Sequence, residues 1–186
     1  SMVKGEDGNQ RREVAKLVKF LREHERPDLI CLTNLLVGGS IPALKRELGI
    51  PILVTLQGDD VFLDELEDPW REKVLEAMRD LAQQVDGFIT FSAYYRDRMA
   101  GLLEVDPARF HLTPLGIDTD EFAPVFEKRR GRTPGNILGY FARICPEKGF
   151  DLAVEAFIEL AGKSPDYRLL AGGWLSAKDR KFYDAQ

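Results

Sequence analysis

The chain has 186 residues, 44% of them hydrophobic and 31% charged, a balance typical of a globular protein with a sizeable core. Its formal net charge of −5 argues against nucleic acid or an anionic membrane as the main partner. Any phosphate-binding site on a protein of this charge must be locally basic. Two cysteines without a disulfide pattern, Cys31 and Cys145, fit a reducing cytoplasm. The sequence has no apolar run near the roughly 18 residues of a transmembrane helix.

Short apolar runs alternate with amphipathic patterns through residues 1–122, which predicts strands that alternate with helices. Residues 3–13 are polar and contain glycine, so a frayed start is expected. Helices are predicted around Val14, after Ser40 and Trp70, and after Ser92 as N-cap. The strands are predicted at residues 28–33, 52–56, 87–91 and 110–112.

The composition changes at residues 123–135, where prolines, glycines and a run of basic residues predict a linker between two domains. Residues 1–122 then form the first domain, and residues 136–186 begin the second. The continued alternation of strands and helices predicts parallel sheets with right-handed crossovers, which is the doubly wound α/β class.

The second domain is predicted to hold strands at residues 137–141 and 167–171. Asp151 is the predicted N-cap of the helix after the first strand, and Ser176 begins a helix after the second. Two strands are too few for a complete Rossmann-type unit, so the chain is expected to stop within this domain.

Arg143 and Lys148 lie between the strand at residues 137–141 and the following helix. A helix N-terminus offers free backbone N–H groups and a partial positive charge, which suit an anion. Open α/β sheets bind ligands at the carboxyl ends of their strands. The pattern therefore predicts a site for a phosphorylated ligand. The alternative is two solvated basic residues that flank a strand end.

Four stretches match, in the same order, segments of one known family. Residues 54–60 resemble a strand-end His-Gly-x-Asp segment, and residues 91–99 resemble a Ser-x-x-x-x-Asp segment. Residues 113–124 are similar to a Pro-Asn-Gly-Val-Asp, Phe-x-Pro run, and residues 139–150 resemble a Gly-Arg, Glu-Lys-Gly stretch. The chain thus resembles the retaining group 1 (family 4) glycosyltransferases, and the resemblance covers residues 28–175.

The resemblance implies a partial GT-B architecture, in which two Rossmann-like domains face each other across a cleft. Residues 1–122 would be the C-terminal part of the acceptor domain, and residues 136–186 the start of the donor domain. The implied reaction transfers a sugar from a nucleotide-sugar to a hydroxyl of a saccharide or lipid-linked acceptor, with retained configuration. No cofactor or metal is expected, since basic residues would neutralise the leaving diphosphate.

The resemblance also implies roles for single residues. Arg143 and Lys148 would bind the donor diphosphate, while Gln57 and Asp60, the catalytic candidates, would orient the sugar or the acceptor. Gln57 can exchange hydrogen bonds with hydroxyls but cannot act as a base. For residues 57–60 the alternative is a turn whose acidic residues cap the next helix.

Gly116, Gly172 and Gly173 are predicted to let the backbone approach the donor nucleotide. The alternative for Gly116 is a turn that needs a positive φ, and for Gly172 and Gly173 it is an ordinary turn. Ser92 is interpreted as a helix cap rather than a ligand group. Cys145 adjoins the basic loop, but the sequence places no histidine nearby that would make it a nucleophile.

Departures from the family pattern support a second functional hypothesis. Gln57 stands where the family often has histidine, Leu115 stands where asparagine is frequent, and the family's first and last segments have no counterpart. The chain is expected to be a fragment that is inactive alone, or a non-catalytic binding module that self-associates through truncated sheet edges. A nicotinamide dehydrogenase is excluded, because no G-x-G-x-x-G follows a predicted strand.

Overall fold

The computed structural model describes residues 2–133 and 135–186, and the chain divides into two compact units, Ser1–Ile117 and Asp118–Gln186. The predicted linker falls within the second unit, where Ala123–Arg129 forms a short helix. Pro134, which was assigned to the same linker, lies outside the described residues. The role of this segment as a linker stays a prediction.

The first unit is built on a four-stranded parallel sheet in the order β1-β2-β3-β4, which confirms the predicted fold class. Because the strands are parallel, their carboxyl ends lie at one edge of the sheet. Polar residues that follow different strands are therefore brought together at this edge. The strands are β1 (Ile30–Leu32), β2 (Ile52–Thr55), β3 (Gly87–Thr90) and β4 (Phe110–Leu112).

Helices connect these strands, and local sequence signals set several of their ends. Helix α2 (Ile41–Leu48) carries Pro42 in its first turn and ends at Gly49, whose φ is +66°. Helix α5 (Ala93–Leu103) begins after Ser92, whose Oγ accepts a hydrogen bond of 3.2 Å from the Tyr95 N–H. The helices are α1 (Arg11–Phe20), α2 (Ile41–Leu48), α3 (Asp59–Asp64), α4 (Trp70–Gln84) and α5 (Ala93–Leu103).

The core of the first unit lies between the sheet and these helices. Phe88 of β3 is fully buried and stacks on Phe110 of β4, with 4.8 Å between the ring centroids. Burial of each such large apolar side chain stabilises the fold by about 1.5–3 kcal/mol. Other fully buried side chains include Leu35, Ile41, Leu44, Ile52, Leu56, Leu63, Met78 and Met99.

Residues 3–13 form regular structure, so the prediction of a frayed segment was wrong. Met2–Asp7 forms two short 3₁₀ turns separated by a kink at Gly5, and they pack against the 3₁₀ turn Leu35–Ser40. Gly5 is buried with a φ of +47°, and a Cβ atom added to it would lie 1.7 Å from the Gly39 carbonyl oxygen. Gly5 and Gly39 approach each other through their backbones. The prediction used the polarity of the side chains, which gives no information on backbone packing.

The second unit has one pair of parallel strands, β5 (Ile137–Phe141) and β6 (Arg168–Gly172). Gly149, with a φ of +64°, precedes the helix after β5. Asp151 lies in the first turn of that helix, so its prediction as N-cap was wrong. The predicted cap at Ser176 is confirmed, since its Oγ accepts a hydrogen bond from the Asp179 N–H. The helices are α6 (Ala123–Arg129), α7 (Phe150–Lys163) and α8 (Arg180–Ala185).

One face of the β5–β6 pair carries exposed apolar side chains. Ile137, Phe141 and Leu170 point to this face and are 64%, 93% and 68% exposed. On the other face, Tyr140 packs edge-on against Phe150 of α7, with 5.1 Å between ring centroids.

Self-association of the chain stays a prediction. Within the described part of the chain, each helix is too short or too polar to cross a bilayer.

Candidate functional site

The first group of predicted site residues follows β2 and lies at the carboxyl edge of the four-stranded sheet. Gln57 and Gly58 are exposed, Asp59 is buried and Asp60 is half-buried. Gly58 has a φ of +95°, which favours glycine at the point where the chain leaves the strand and enters α3. The four residues therefore differ in environment although they are adjacent in sequence.

Asp59 connects two strand ends and was not predicted as a site residue. Its Oδ1 accepts a hydrogen bond of 2.9 Å from the Leu35 N–H, and its Oδ2 accepts one of 3.2 Å from the Gln57 N–H. Burial raises the pKa of this carboxyl group, and the two N–H donors partly oppose the rise. In the sequence Asp59 looks the same as Asp60, so only the fold distinguishes them.

Asp60 lies in a hydrogen-bond network with α5. Its carboxylate accepts 2.9 Å and 2.6 Å hydrogen bonds from the Tyr95 hydroxyl and the Arg98 Nε. Arg98 also bonds Asp64, at 2.8 Å from its Nη2. Partial burial alone would raise the pKa of Asp60, but the bonds from Arg98 and Tyr95 outweigh burial and lower the pKa. The predicted contact of Asp60 with a sugar stays a prediction, and its present partners are protein groups.

Tyr95 links this network to the backbone at the end of β2. Its hydroxyl accepts a hydrogen bond of 2.7 Å from the Gly58 N–H and donates to Asp60. Burial and the bond to Asp60 raise the pKa of Tyr95, so its hydroxyl keeps its proton. This role of Tyr95 was not predicted from the sequence, because its partners come from another element.

Replacing Asp60 by asparagine should remove part of the pH dependence of stability. Because its folded-state pKa lies below the ordinary 3.8, the carboxylate contributes stability that is present above pH 3.8 and is lost as the pH falls through the lowered pKa. Urea unfolding from about pH 6 to pH 2 should show a gap between wild type and Asp60→Asn that narrows as the pH falls. The exposed Asp80→Asn should follow the wild type, and a gap that does not change with pH would contradict the prediction.

The second group of predicted site residues lies in the loop between β5 and α7. Arg143 and Lys148 are both exposed, and among the described residues neither forms an ion pair. The Tyr140 hydroxyl lies 3.0 Å from the Arg143 carbonyl oxygen and 3.3 Å from that of Lys148, and shares its one proton between them. One side chain thus fastens both ends of the basic loop. The loop leads into α7, whose first N–H groups are free to bind an anion.

Cys145 is a buried residue of this basic loop. Its Sγ donates to the Arg143 carbonyl oxygen at 3.7 Å. The negative charge of Glu147, together with burial, raises the pKa of the Cys145 thiol. A raised pKa disfavours the thiolate, and only the thiolate is a strong nucleophile. The geometry therefore agrees with a structural role for this cysteine.

Gly173 allows the loops after β5 and β6 to meet. Its φ is +154°, and a Cβ atom added to it would lie 1.7 Å from the Ala142 carbonyl oxygen. The Ala142 N–H donates to the Gly172 carbonyl oxygen, and the Ile144 N–H donates to the Trp174 carbonyl oxygen. These bonds continue the ladder of the two strands through this region. Glycine is thus needed at position 173 by the protein's own backbone. Contact of Gly172 or Gly173 with a nucleotide stays a prediction.

Gly116 has a different environment. It is exposed, its φ is not positive, and no atom of the described residues lies within 4 Å of an added Cβ atom. The alternative of a turn that needs a positive φ was therefore wrong. The approach of a ligand at this open position stays a prediction.

Replacing Gly173 by alanine should lower the free energy of unfolding of the second unit by about 2 kcal/mol, because the new methyl group meets backbone and the φ is strained. Gly162→Ala, inside α7 with open space around it, should instead stabilise the unit by about 0.5–1 kcal/mol. In a Trp70→Phe background, Trp174 fluorescence during urea unfolding reports on this unit. Equal midpoints for the two variants would contradict the prediction.

The described residues contain no group of three or more histidine, cysteine, aspartate or glutamate side chains arranged to hold a metal ion. The polar groups at both loops are suited to hydroxyls and to anions. The first loop presents the Gln57 carboxamide, and the second presents two cations beside a helix N-terminus.

Sequence comparison places most of the first unit in a known family. The profile described as Glycosyltransferase Family 4 matches residues 5–121. A GDP-mannose-dependent alpha-(1-6)-phosphatidylinositol monomannoside mannosyltransferase from Mycolicibacterium smegmatis is 33% identical over 104 residues. That alignment covers 52% of this chain and 27% of the mycobacterial protein.

Solved structures share the fold at low sequence identity. Anabaena Alr3699/HepE, crystallised with UDP, has a TM-score of 0.72 at 17% identity. The match covers 92% of this chain and 46% of the HepE chain. The catalytic domain of Starch Synthase IV from Arabidopsis thaliana, bound to ADP and acarbose, has a TM-score of 0.58 at 13% identity, with 92% and 48% covered. The chain therefore spans about half the length of these structures and about a quarter of the mycobacterial protein.

Proposed function

Since this chain belongs to Glycosyltransferase Family 4, we propose that it transfers a sugar from a nucleotide-sugar donor to an acceptor hydroxyl, with retention of the anomeric configuration. The observation that carries the proposal is the basic loop, in which Arg143 and Lys148 follow a parallel strand and precede α7. The GDP-mannose dependence of the mycobacterial relative and the UDP bound to HepE support a nucleoside-diphosphate sugar as donor.

In this proposal the two cations act on the leaving group. When the bond between the sugar and the diphosphate breaks, negative charge grows on the departing phosphate oxygen. Arg143 and Lys148 stabilise this charge, together with the free N–H groups at the start of α7. The hydrogen bonds from Tyr140 hold the backbone of both residues, so little reorganisation is required as the charge develops.

Gln57 serves as a hydrogen-bonding group for the sugar or the acceptor. A carboxamide does not take up a proton, so the acceptor hydroxyl gives its proton to the departing phosphate oxygen. Attack from the same face as departure gives retention. The reaction needs no protein base under this proposal, which agrees with glutamine in place of the histidine that the family often carries.

The test is an assay of sugar transfer by the full-length protein. GDP-mannose and UDP-glucose are offered with a panel of saccharide and lipid-linked acceptors, and acceptor-dependent release of the nucleoside diphosphate is measured. We expect release with at least one pair, and a product with the donor's anomeric configuration by NMR. An inverted product, or no release with a donor that binds, would contradict the proposal.

A non-catalytic binding module is the second candidate function. It is favoured by the commitment of both Asp60 carboxylate oxygens to Tyr95 and Arg98, which leaves this residue few lone pairs for a substrate. The same experiment separates the two functions, because a binding module would bind the nucleotide-sugar without turnover. The inactivity expected for residues 1–186 alone stays a prediction.

A further inference from the structure

Helix α6 carries an exposed apolar stripe, the α6 stripe, formed by Phe122, Val125 and Phe126. The 3₁₀ turn Asp120–Phe122 leads directly into α6, so the spacing of three and four residues places the three side chains on one side of the segment. They are 57%, 55% and 66% exposed. Residues 111–133 are all exposed, so no described element covers the stripe.

A helix as short as α6 gains little stability from its own backbone. Isolated helices of fewer than about 12–15 residues are marginal in water, and most helices in proteins are stabilised by packing of an apolar side. α6 has seven residues, and within the described chain its apolar side is uncovered. Exposed apolar patches rimmed by polar residues mark interaction sites. The α6 stripe is therefore expected to be covered by a partner.

The charge beside the stripe indicates what kind of partner this is. Four of the five residues in the basic run, residues 128–132, are lysine or arginine, although the chain has a formal net charge of −5. Arg130 pairs with a neighbouring glutamate, whereas among the described residues Lys128, Arg129 and Arg132 form no ion pair. An apolar stripe flanked by cations is the pattern of a helix that lies in the surface of an anionic bilayer.

Two of these cations also line a cavity beside the exposed face of the β5–β6 pair. The cavity has a volume of about 500 Å³, and its lining includes Arg129 and Arg132 together with the apolar side chains of Ile137 and Leu170. Guanidinium groups bind phosphate oxygens through parallel N–H bonds. A phospholipid matches both parts of this lining, because it joins a phosphate to apolar chains. A free phosphate would use the cations alone.

Other partners fit these groups less well. A symmetric contact between two copies through the α6 stripe would bring two basic runs together, and like charges at an interface repel. A nucleic acid would pair with the cations but would leave the apolar stripe uncovered. The acidic Asp120 and Glu121 lie about two turns before the basic run, so they reduce its positive charge only in part.

We propose that the α6 stripe and the basic run dock on the surface of an anionic phospholipid bilayer, with a lipid phosphate bound by Arg129 and Arg132. The stripe then lies at the boundary between headgroups and acyl chains, since α6 is far too short to cross a bilayer. The proposal goes beyond sugar transfer and does not rest on it, because none of these residues belongs to the basic loop of Arg143 and Lys148.

The test is co-sedimentation of the full-length protein with vesicles of phosphatidylcholine, either alone or with about 30% phosphatidylglycerol. We expect binding to the anionic vesicles to be at least about tenfold tighter, and to weaken as sodium chloride is added, because salt screens the cations. The double variant Arg129→Gln/Arg132→Gln should weaken this binding by about thirtyfold. Phe126→Ala should weaken it by about tenfold.

The double variant Lys178→Gln/Lys181→Gln is the matched control. Both lysines are exposed and belong to the last helix and the turn before it. That helix packs against Phe150, on the face of the β5–β6 pair opposite to Ile137 and Leu170. The control loses the same charge, and its binding should stay within about threefold of the wild type. Hydrogen exchange on vesicles should slow for the amides of residues 120–132 and not for those of α8.

Four results would overturn the proposal. Equal binding to neutral and anionic vesicles would remove the role of charge, and wild-type binding by the arginine double variant would remove these two cations. Absence of vesicle binding would show that another part of the protein or a second copy covers the stripe, and light scattering separates these two cases. Calorimetric binding of inorganic phosphate without vesicle binding would identify a site for a free anion. Transfer of sugar to a water-soluble acceptor is unaffected in each case, so these outcomes are distinct from failure of the transferase proposal.

Discussion

Replacing Arg143 by alanine in the full-length protein should lower kcat/KM for sugar transfer by about 10²–10³-fold, with most of the loss in kcat. The guanidinium is exposed, and among the described residues it has no ion-pair partner, so the folded protein does not depend on its charge. The Arg143 guanidinium is proposed to act when negative charge develops on the leaving diphosphate. Steady-state rates of nucleoside diphosphate release measure the effect.

Arg168→Ala is the matched control for this variant. Arg168 is also exposed and lies on the same strand pair, but at the amino end of β6, the opposite edge from the basic loop. The control loses the same charge at a distance from the proposed site, and its kcat/KM should stay within about threefold of the wild type. Equal losses in the two variants would show that only the overall charge matters and would contradict the assignment of Arg143.

Replacing Asp59 by alanine should lower the free energy of unfolding by about 3 kcal/mol. The variant leaves the Leu35 and Gln57 N–H groups without their acceptor, and an unpaired buried group such as the Leu35 N–H costs about 1–3 kcal/mol. Because Asp59 is only 2% exposed, water does not readily replace the carboxylate. Urea denaturation followed by circular dichroism measures the loss.

Asp59→Asn tests the cause of this loss. An asparagine has one acceptor oxygen and places an NH₂ group against the second N–H, so it should recover only part of the stability. Asp80→Ala, at an exposed position of α4, should change stability by less than about 0.5 kcal/mol. If Asp59→Ala were as stable as Asp80→Ala, the carboxylate would not connect the strand ends in the way described.

Much of the fold was predictable from the sequence because its signals are local. The strands of both units are short apolar runs, and the caps at Ser92 and Ser176 need only their own backbone neighbours. The basic loop was also predictable, since a strand, two cations and a helix follow each other within one stretch of chain. Its fastening by Tyr140 was not, because the hydroxyl and the carbonyl groups meet only when the loop is folded.

The network around Asp60 was not predictable for a similar reason. Tyr95 and Arg98 reach it from an element more than thirty positions away in sequence, and nothing in the spacing indicates the contact. The contacts of Gly5 and Gly173 are backbone packing, which hydrophobic patterns do not record. The N-cap at Gly149 was missed because Asp151, a common capping residue, lies two positions later.

The most direct test of the proposed function is a crystal structure of the protein with bound GDP or UDP. We expect the diphosphate at the basic loop, with the Arg143 guanidinium and the Lys148 ammonium within about 3 Å of its oxygens and the first N–H groups of α7 facing it. A diphosphate bound at any other place, with both side chains turned to solvent, would contradict the central claim that this loop holds the donor.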